Sequence, residues 1–121
     1  MASLGERFAN AMMLRDRDGL AALLDPEVDF RALTPNTFWT AATPTEVVDI
    51  VFDSWFEEHD HIDAVAALET GDAVGDTQRT GYRFDITTPD GPHVVEQQAY
   101  YRERDGRLRY LRIVCSGFRP A

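Results

Sequence analysis

Apolar residues recur in this chain first at helical spacing and then at the alternation of strands. Leu4, Phe8, Ala11 and Met12 lie three or four apart behind Ser3 and Glu6, which have the form of a capping box, so residues 4–15 read as an amphipathic helix. Asp16 or Asp18 can cap a second, short helix with Leu20, Leu23 and Leu24 on its inner face and Pro26 as its stop. Residues 28–33 read as a short strand with Arg31 in its middle, and the Pro/Asn/Thr-rich stretch 34–42 as a loop. Thr43-Pro44-Thr45-Glu46 is a strong helix start, with Thr as cap, Pro in the first helical position and Glu in the third. Val47, Val48, Val51, Phe52, Trp55 and Phe56 give that third helix a wide apolar stripe, running to about Glu58.

From residue 62 onward the period is two. Strands are expected over 62–73, 77–87, 93–103 and 107–118, with a tight turn at Thr88-Pro89-Asp90-Gly91-Pro92 and a hairpin at Asp105-Gly106. Helices segregated from a run of hairpins predict an α+β domain spanning residues 1–121, its N-terminal helices packed on one face of a curved antiparallel sheet. Such a sheet can leave a pocket between itself and the helices.

The third of these strands poses a problem of register, because Glu96, Gln97 and Gln98 follow one another and side chains alternate between faces. Tyr82, Phe84 and Ile86 form the inner set of one strand, and Leu111, Ile113 and Cys115 that of the last. A two-residue turn at Asp105-Gly106 pairs Tyr100 with Leu111, Gln98 with Ile113 and Glu96 with Cys115, so Val94, Glu96, Gln98 and Tyr100 face inward. A three-residue turn with a bulge at Gly106 turns Val95, Gln97, Ala99 and Tyr101 inward instead. The second set is more apolar, but Asp-Gly favours the shorter turn. On the shorter turn Glu96 becomes a candidate general acid/base in a pocket floored by Tyr82, Phe84 and Tyr100, with Arg31 as its charge partner. A structural ion pair between Glu96 and Arg31 is the competing reading.

Charge narrows the partners. The net charge is −9, and no basic stripe offsets it, which argues against nucleic acid and anionic membranes. No apolar run approaches the length of a membrane span, the start MASLGERF lacks the layout of a signal peptide, and the one cysteine, Cys115, suits a reducing cytoplasm. Phosphate loops, dinucleotide fingerprints and a Ser-His-Asp order are absent, so no cofactor is expected. His59-Asp60-His61, with Glu57 or Glu58, could chelate a metal but reads as a solvated loop. His93 reads as a strand-end surface residue, Cys115 as a small buried hydrophobe, and Phe38 and Trp39 as gates of the pocket mouth or plugs of the core edge. Val95, Tyr101, Tyr110 and Val114, with Arg83 and Arg112, read as an outer face built for a homodimer.

The helix-to-strand passage "RDRDGLAALLDPEVDF" and the hairpin "ERDGRLRYLRI" resemble the SnoaL-like branch of the nuclear-transport-factor-2-like superfamily, which includes ketosteroid isomerases. The resemblance covers nearly the whole chain. It implies a conical α+β barrel with a pocket between sheet and helices, and commonly a dimer through the outer sheet face. At the places where the isomerases carry a tyrosine, an aspartate base and a second carboxyl group, this chain has Asn10, Arg31 and Gln98, none of which is the required group. Arg83-Phe84-Asp85 matches part of the epoxide-hydrolase pattern, but Ile113 stands where its second acid should be. The reading that follows is a cytoplasmic homodimer binding an apolar or aromatic small molecule, with cofactor-free isomerase, cyclase or dehydratase chemistry. Glu96 is its acid/base, and Asn10, Arg31, Trp39, Tyr82, Phe84, Gln98, Tyr100 and Ile113 line the site. The alternative is a non-catalytic ligand-binding or dimerisation module.

Overall fold

A computed structural model describes residues 2–121. Helix α1 (Leu4–Met13) begins at the expected capping box: the Ser3 hydroxyl accepts from the Glu6 amide and the Glu6 carboxylate from the Ser3 amide. It buries Leu4, Phe8, Ala9, Ala11 and Met12. Helix α2 (Arg17–Ala22) is capped by Asp16 and is shorter than expected. Leu24 and Pro26 belong to strand β1 (Leu24–Thr34), not to a helix end. The pairing of β1 shifts register between Leu24 and Asp29, and Pro26, which has no amide to donate, is accommodated in that irregularity.

The stretch expected as a loop turns back through Pro35-Asn36, Asn36 adopting a left-handed conformation (φ 66°), and forms a second strand, β2 (Thr37–Ala41). Helix α3 (Pro44–Asp49) starts at the Thr43 cap and then widens into a π-helical segment, Ile50–Trp55, closed by the Phe56 amide donating to the Val51 carbonyl at 2.8 Å. The wider turn directs Val51, Phe52, Trp55 and Phe56 into the core together.

Four long strands follow: β3 (His61–Val74), β4 (Thr77–Thr88), β5 (Gly91–Arg104) and β6 (Arg107–Cys115), with a two-residue β7 (Arg119–Pro120) against the start of β5. The order across the sheet is β2-β1-β6-β5-β4-β3, antiparallel except for β1 beside β6. The sheet curves over the helices but does not close, so the fold is α+β with two free edges, not a complete barrel. Among the described residues no helix is long and apolar enough to cross a membrane.

The register of β5 and β6 resolves the ambiguity by a third route. Asp105 and Gly106 both have positive φ (54° and 77°), and Arg104 pairs with Arg107, so the turn has two residues as favoured. Glu103 pairs with Leu108, but Arg102 then pairs with Tyr110, leaving Arg109 as an extra residue in β6. This β-bulge reverses the phase beyond it. Tyr101 faces Leu111, Ala99 faces Ile113 and Gln97 faces Cys115. Val95, Gln97, Ala99 and Tyr101 are therefore buried, and Glu96, Gln98 and Tyr100 lie on the outer face.

A two-pronged ion pair fixes the base of this hairpin to β1. Arg104 donates to Asp25 through Nη2 at 2.7 Å and Nε at 3.0 Å. The Arg104 guanidinium, followed by the Glu27 amide, holds the Asp25 carboxyl below its ordinary range. A carboxyl whose folded-state value is depressed stabilises the fold above the ordinary aspartate range, and loses that contribution as pH falls through the lowered value. Urea denaturation of the parent and of Asp25→Asn is expected to show a stability gap at neutral pH that shrinks in acid. A gap independent of pH would remove the ion pair as its cause.

Candidate functional site

Four chain segments that are remote in sequence meet at one end of the sheet. They are the β1–β2 turn (Thr34, Pro35, Thr37, Trp39), the exit of the π-helical segment (Ser54 to Asp60), the β4–β5 turn with His93, and the end of β6 with Gly117 and Phe118. With Val95 and Gln97 of β5 as floor they enclose a cavity of about 580 Å³. The C-terminal segment closes one side because residue 117 is a glycine. Its φ is 72°, and a Cβ there would stand 2.8 Å from the Pro35 ring.

The walls are aromatic. Trp39 meets Trp55 edge-on with ring centres 6.3 Å apart, and its indole donates to the Thr34 hydroxyl at 2.8 Å. Phe56 stacks on Phe118 at 6.0 Å and meets Phe84 edge-on beneath.

Two residues lining the cavity carry hydrogen-bond donors without acceptors. Gln97, 1% exposed, accepts the Tyr82 hydroxyl proton on Oε1 at 2.6 Å. Burial, and secondarily Cys115, pushes the Tyr82 phenol well above its ordinary value, so it stays protonated and able to donate. With Oε1 facing Tyr82, Nε2 has no partner among the described residues. The indole nitrogen of Trp55 is likewise buried and unpartnered. A buried donor left unpaired costs about 1–3 kcal/mol, so two on residues lining one cavity call for an explanation.

The rim is polar and acidic. Glu57, His59, Asp60, Asp90 and His93 line it, with no arginine or lysine among the lining residues. Nδ1 of His93 lies 2.9 Å from the Gly91 carbonyl oxygen, which can only accept, so Nδ1 carries a proton and, in the neutral imidazole, Nε2 is the nitrogen with the lone pair. Arg15, itself at φ 54°, donates to the main-chain carbonyls of Phe56 (2.7 Å) and Asp60 (3.3 Å) and clamps the rim turn from outside.

Of the residues singled out from sequence, Trp39 lines the cavity and Tyr82 lies directly behind Gln97. Phe84 and Ile113 are core residues. Glu96 is corrected: it points outward, half exposed, and pairs with Arg83 at 3.0 Å, because the bulge at Arg109 reverses the strand's phase. An exposed pair of this kind contributes little. Gln98 also points outward and accepts from Arg79 at 2.7 Å, and Tyr100 shares that face. Arg31 is exposed beside Asp29 and does not meet Glu96, and Asn10 lies on the outer side of α1. Val95 and Tyr101, expected on an interface, are interior. Trp55 and Phe118 were missed, and Gln97 was placed inward only on the longer-turn alternative. The available signal for Gln97 was a single amide among the apolar alternates Val95, Ala99 and Tyr101.

No protein-family model matches the sequence, and no curated protein matches it at a significant level. Solved structures do. A Bacillus subtilis protein named as a proposed isomerase is similar over 93% of this chain and 84% of its own, with TM-score 0.78 and 15% identity. A Mesorhizobium loti protein named as a proposed SnoaL-like polyketide cyclase is similar over 91% and 94%, with TM-score 0.66 and 13% identity. An LEH-like epoxide hydrolase from M. tuberculosis is similar over 93% and 80%, with TM-score 0.65 and 14% identity. The chain thus has the fold of these SnoaL-like and ketosteroid-isomerase-like structures.

Proposed function

We propose that the cavity binds a neutral apolar or aromatic small molecule through a carbonyl oxygen and promotes isomerase- or cyclase-type proton transfer on it. The observation that carries this reading is the pair of unpartnered donors, Gln97 Nε2 and Trp55 Nε1, on two residues that line an aromatic-walled cavity. Donors of this kind, aimed where a carbonyl becomes an enolate, stabilise charge that develops during reaction. The Tyr82 hydroxyl bonded to Oε1 polarises the amide and strengthens its N–H as a donor. The free Nε2 of His93 is the group suited to remove a proton from the carbon beside the carbonyl and return it elsewhere. The acidic rim disfavours a carboxylate ligand and favours a neutral ketone or aldehyde. Names borne by proteins of the same fold, isomerase and polyketide cyclase, support the same reaction type.

The test uses 2-acetylnaphthalene and 2-isopropenylnaphthalene, which differ in a carbonyl oxygen against a methylene. Calorimetry is expected to show at least about 5-fold tighter binding of the ketone, from two hydrogen bonds of about 0.5–1.5 kcal/mol each. Deuterium exchange of the acetyl protons should exceed the buffer rate and fall in His93→Gln. Equal affinities would sink the binding mode, and exchange at the buffer rate would sink the chemistry.

The reading also takes the protein as a cytoplasmic homodimer. On the outer face Phe38, Leu33 and Val114 stand side by side on β2, β1 and β6, each more than half exposed, with Tyr100 nearby. Sedimentation velocity is expected to show a dimer that Val114→Glu converts to monomer. A parent that sediments as a monomer would exclude it.

A further inference from the structure

The turn between the π-helical segment and β3 brings an imidazole and two carboxylates to one side of the cavity rim. Nε2 of His59 lies 3.6 Å from Oδ1 of Asp60 and 3.8 Å from Oε2 of Glu57, and the three ligand atoms all fall within 4.8 Å of one another. Donor atoms sharing one first-row metal ion at about 2.0–2.2 Å stand roughly 3–3.6 Å apart, so the two His59 pairs would close by a few tenths of an ångström and the Glu57–Asp60 pair by up to about 1 Å. His61, the other histidine of this stretch, begins β3 and is outside the cluster.

A second observation points to a cation. The Asp60 side chain is only 5% exposed. Its Oδ2 accepts from the Glu57 amide at 3.2 Å, but Oδ1 receives no hydrogen bond from any described residue. His59, at 3.6 Å, is too far to supply one. Arg15, the guanidinium that reaches this turn, is directed to main-chain carbonyls and not to the carboxylate. A buried carboxylate is ordinarily paired with a cation or engaged by a metal. This one lines the cavity with no hydrogen bond to Oδ1, the nearest ion-pair partner of that oxygen being the His59 imidazole at 3.6 Å. The turn that holds it is already closed, because the Asp60 amide donates to the Glu57 carbonyl at 2.9 Å while the Asp60 carboxylate accepts from the Glu57 amide. Arg15 fixes the same turn from outside, so little ordering remains to be done on binding.

We propose that Glu57, His59 and Asp60 form a binding site for one divalent first-row metal ion, with its remaining coordination positions turned toward the cavity. One imidazole nitrogen and two carboxylate oxygens suit Zn²⁺ or Mn²⁺ better than Ca²⁺ or Mg²⁺, which prefer all-oxygen sets. Three protein ligands leave room for water or a ligand oxygen. The site goes beyond the carbonyl reading and stands without it, since the ion is held by the rim and the carbonyl by the floor.

Tag-free protein stripped with a chelator is titrated with Zn²⁺ and with Mn²⁺ by calorimetry, with no organic ligand present. One ion per chain is expected. Asp60→Asn and His59→Gln should each weaken binding at least about 10-fold, and His61→Gln and Glu58→Gln should leave it unchanged. Asp60 is buried, so a folding defect in its variant is checked by circular dichroism. His59 is exposed, and its variant carries the test alone if needed. Absence of binding, or binding lost in His61→Gln but kept in His59→Gln, overturns the site.

Discussion

Tyr82→Phe combined with Gln97→Leu is expected to give a protein more stable than the parent and indifferent to the carbonyl of its ligand. The parent buries the Gln97 amide with its Nε2 unpaired. Replacing both members of the Tyr82–Gln97 pair with apolar groups of similar shape removes the unpaired donor, and removes the hydroxyl that would otherwise be orphaned. The gain should be about 1–3 kcal/mol, or roughly 4–12 °C in Tm for a domain of this size. Gln97→Leu alone leaves the Tyr82 hydroxyl buried without an acceptor and should recover little of it, so the two changes are non-additive. The preference for 2-acetylnaphthalene over its isopropenyl analogue should meanwhile disappear. Thermal unfolding with ligand titration reads both effects. A double variant less stable than the parent would mean that the amide is satisfied there, and the functional reading would lose its main support. Stability held below its attainable value at one buried polar group is what a site kept for ligand binding should show.

The parts of this fold written in short stretches of sequence were legible. Ser3 with Glu6, Thr43-Pro44 with Glu46, and Asp105-Gly106 each carry their structural meaning within four residues, and each forms as its chemistry dictates. Pro26 was misleading because a proline stops a helix and marks a strand irregularity equally well, and only the pairing of β1 with β6 distinguishes them. The cavity was hidden for a different reason. Its lining comes from turns and strand ends around residues 34–39, 54–60, 88–93 and 115–118, and periodicity speaks only within an element. The buried face of β5 could have been read. Leu108 and Leu111 are both strongly apolar, yet lie three apart in a strand, and two inward residues at odd spacing require an extra residue between them. Treating Leu111, Ile113 and Cys115 as the whole inner set passed over Leu108, and with it the reversal that puts Gln97 on the cavity floor.

That reversal makes two deletions in one strand diverge. Removing Arg109 takes out the bulged residue, so Leu108 and Tyr110 become neighbours opposite Glu103 and Arg102, which are already consecutive. Every inward residue keeps its face, and the variant should unfold cooperatively with a loss of roughly 1–3 kcal/mol from reduced local twist and repacking. Removing Arg112, three residues on, joins two inward residues, Leu111 and Ile113, directly. One end of β6 must then turn over. Either Ile113 goes out and Val114 in, or Leu108 and Leu111 go out, and the ladders to β1 and β5 shift with them. Each large apolar side chain turned into water costs about 1.5–3 kcal/mol, before lost backbone pairing in a strand flanked on both sides. A domain with about 5–15 kcal/mol in total does not survive that. Arg112 also donates to Asp29 and lies over the Tyr110 ring, so Arg112→Ala is the control separating side-chain loss from the shift of phase. The expected order of stability is parent, then Arg112→Ala and the Arg109 deletion, then the Arg112 deletion without a cooperative transition in urea. If the two deletions proved equally damaging, the bulge would not be the element that sets which face of β5 meets the cavity.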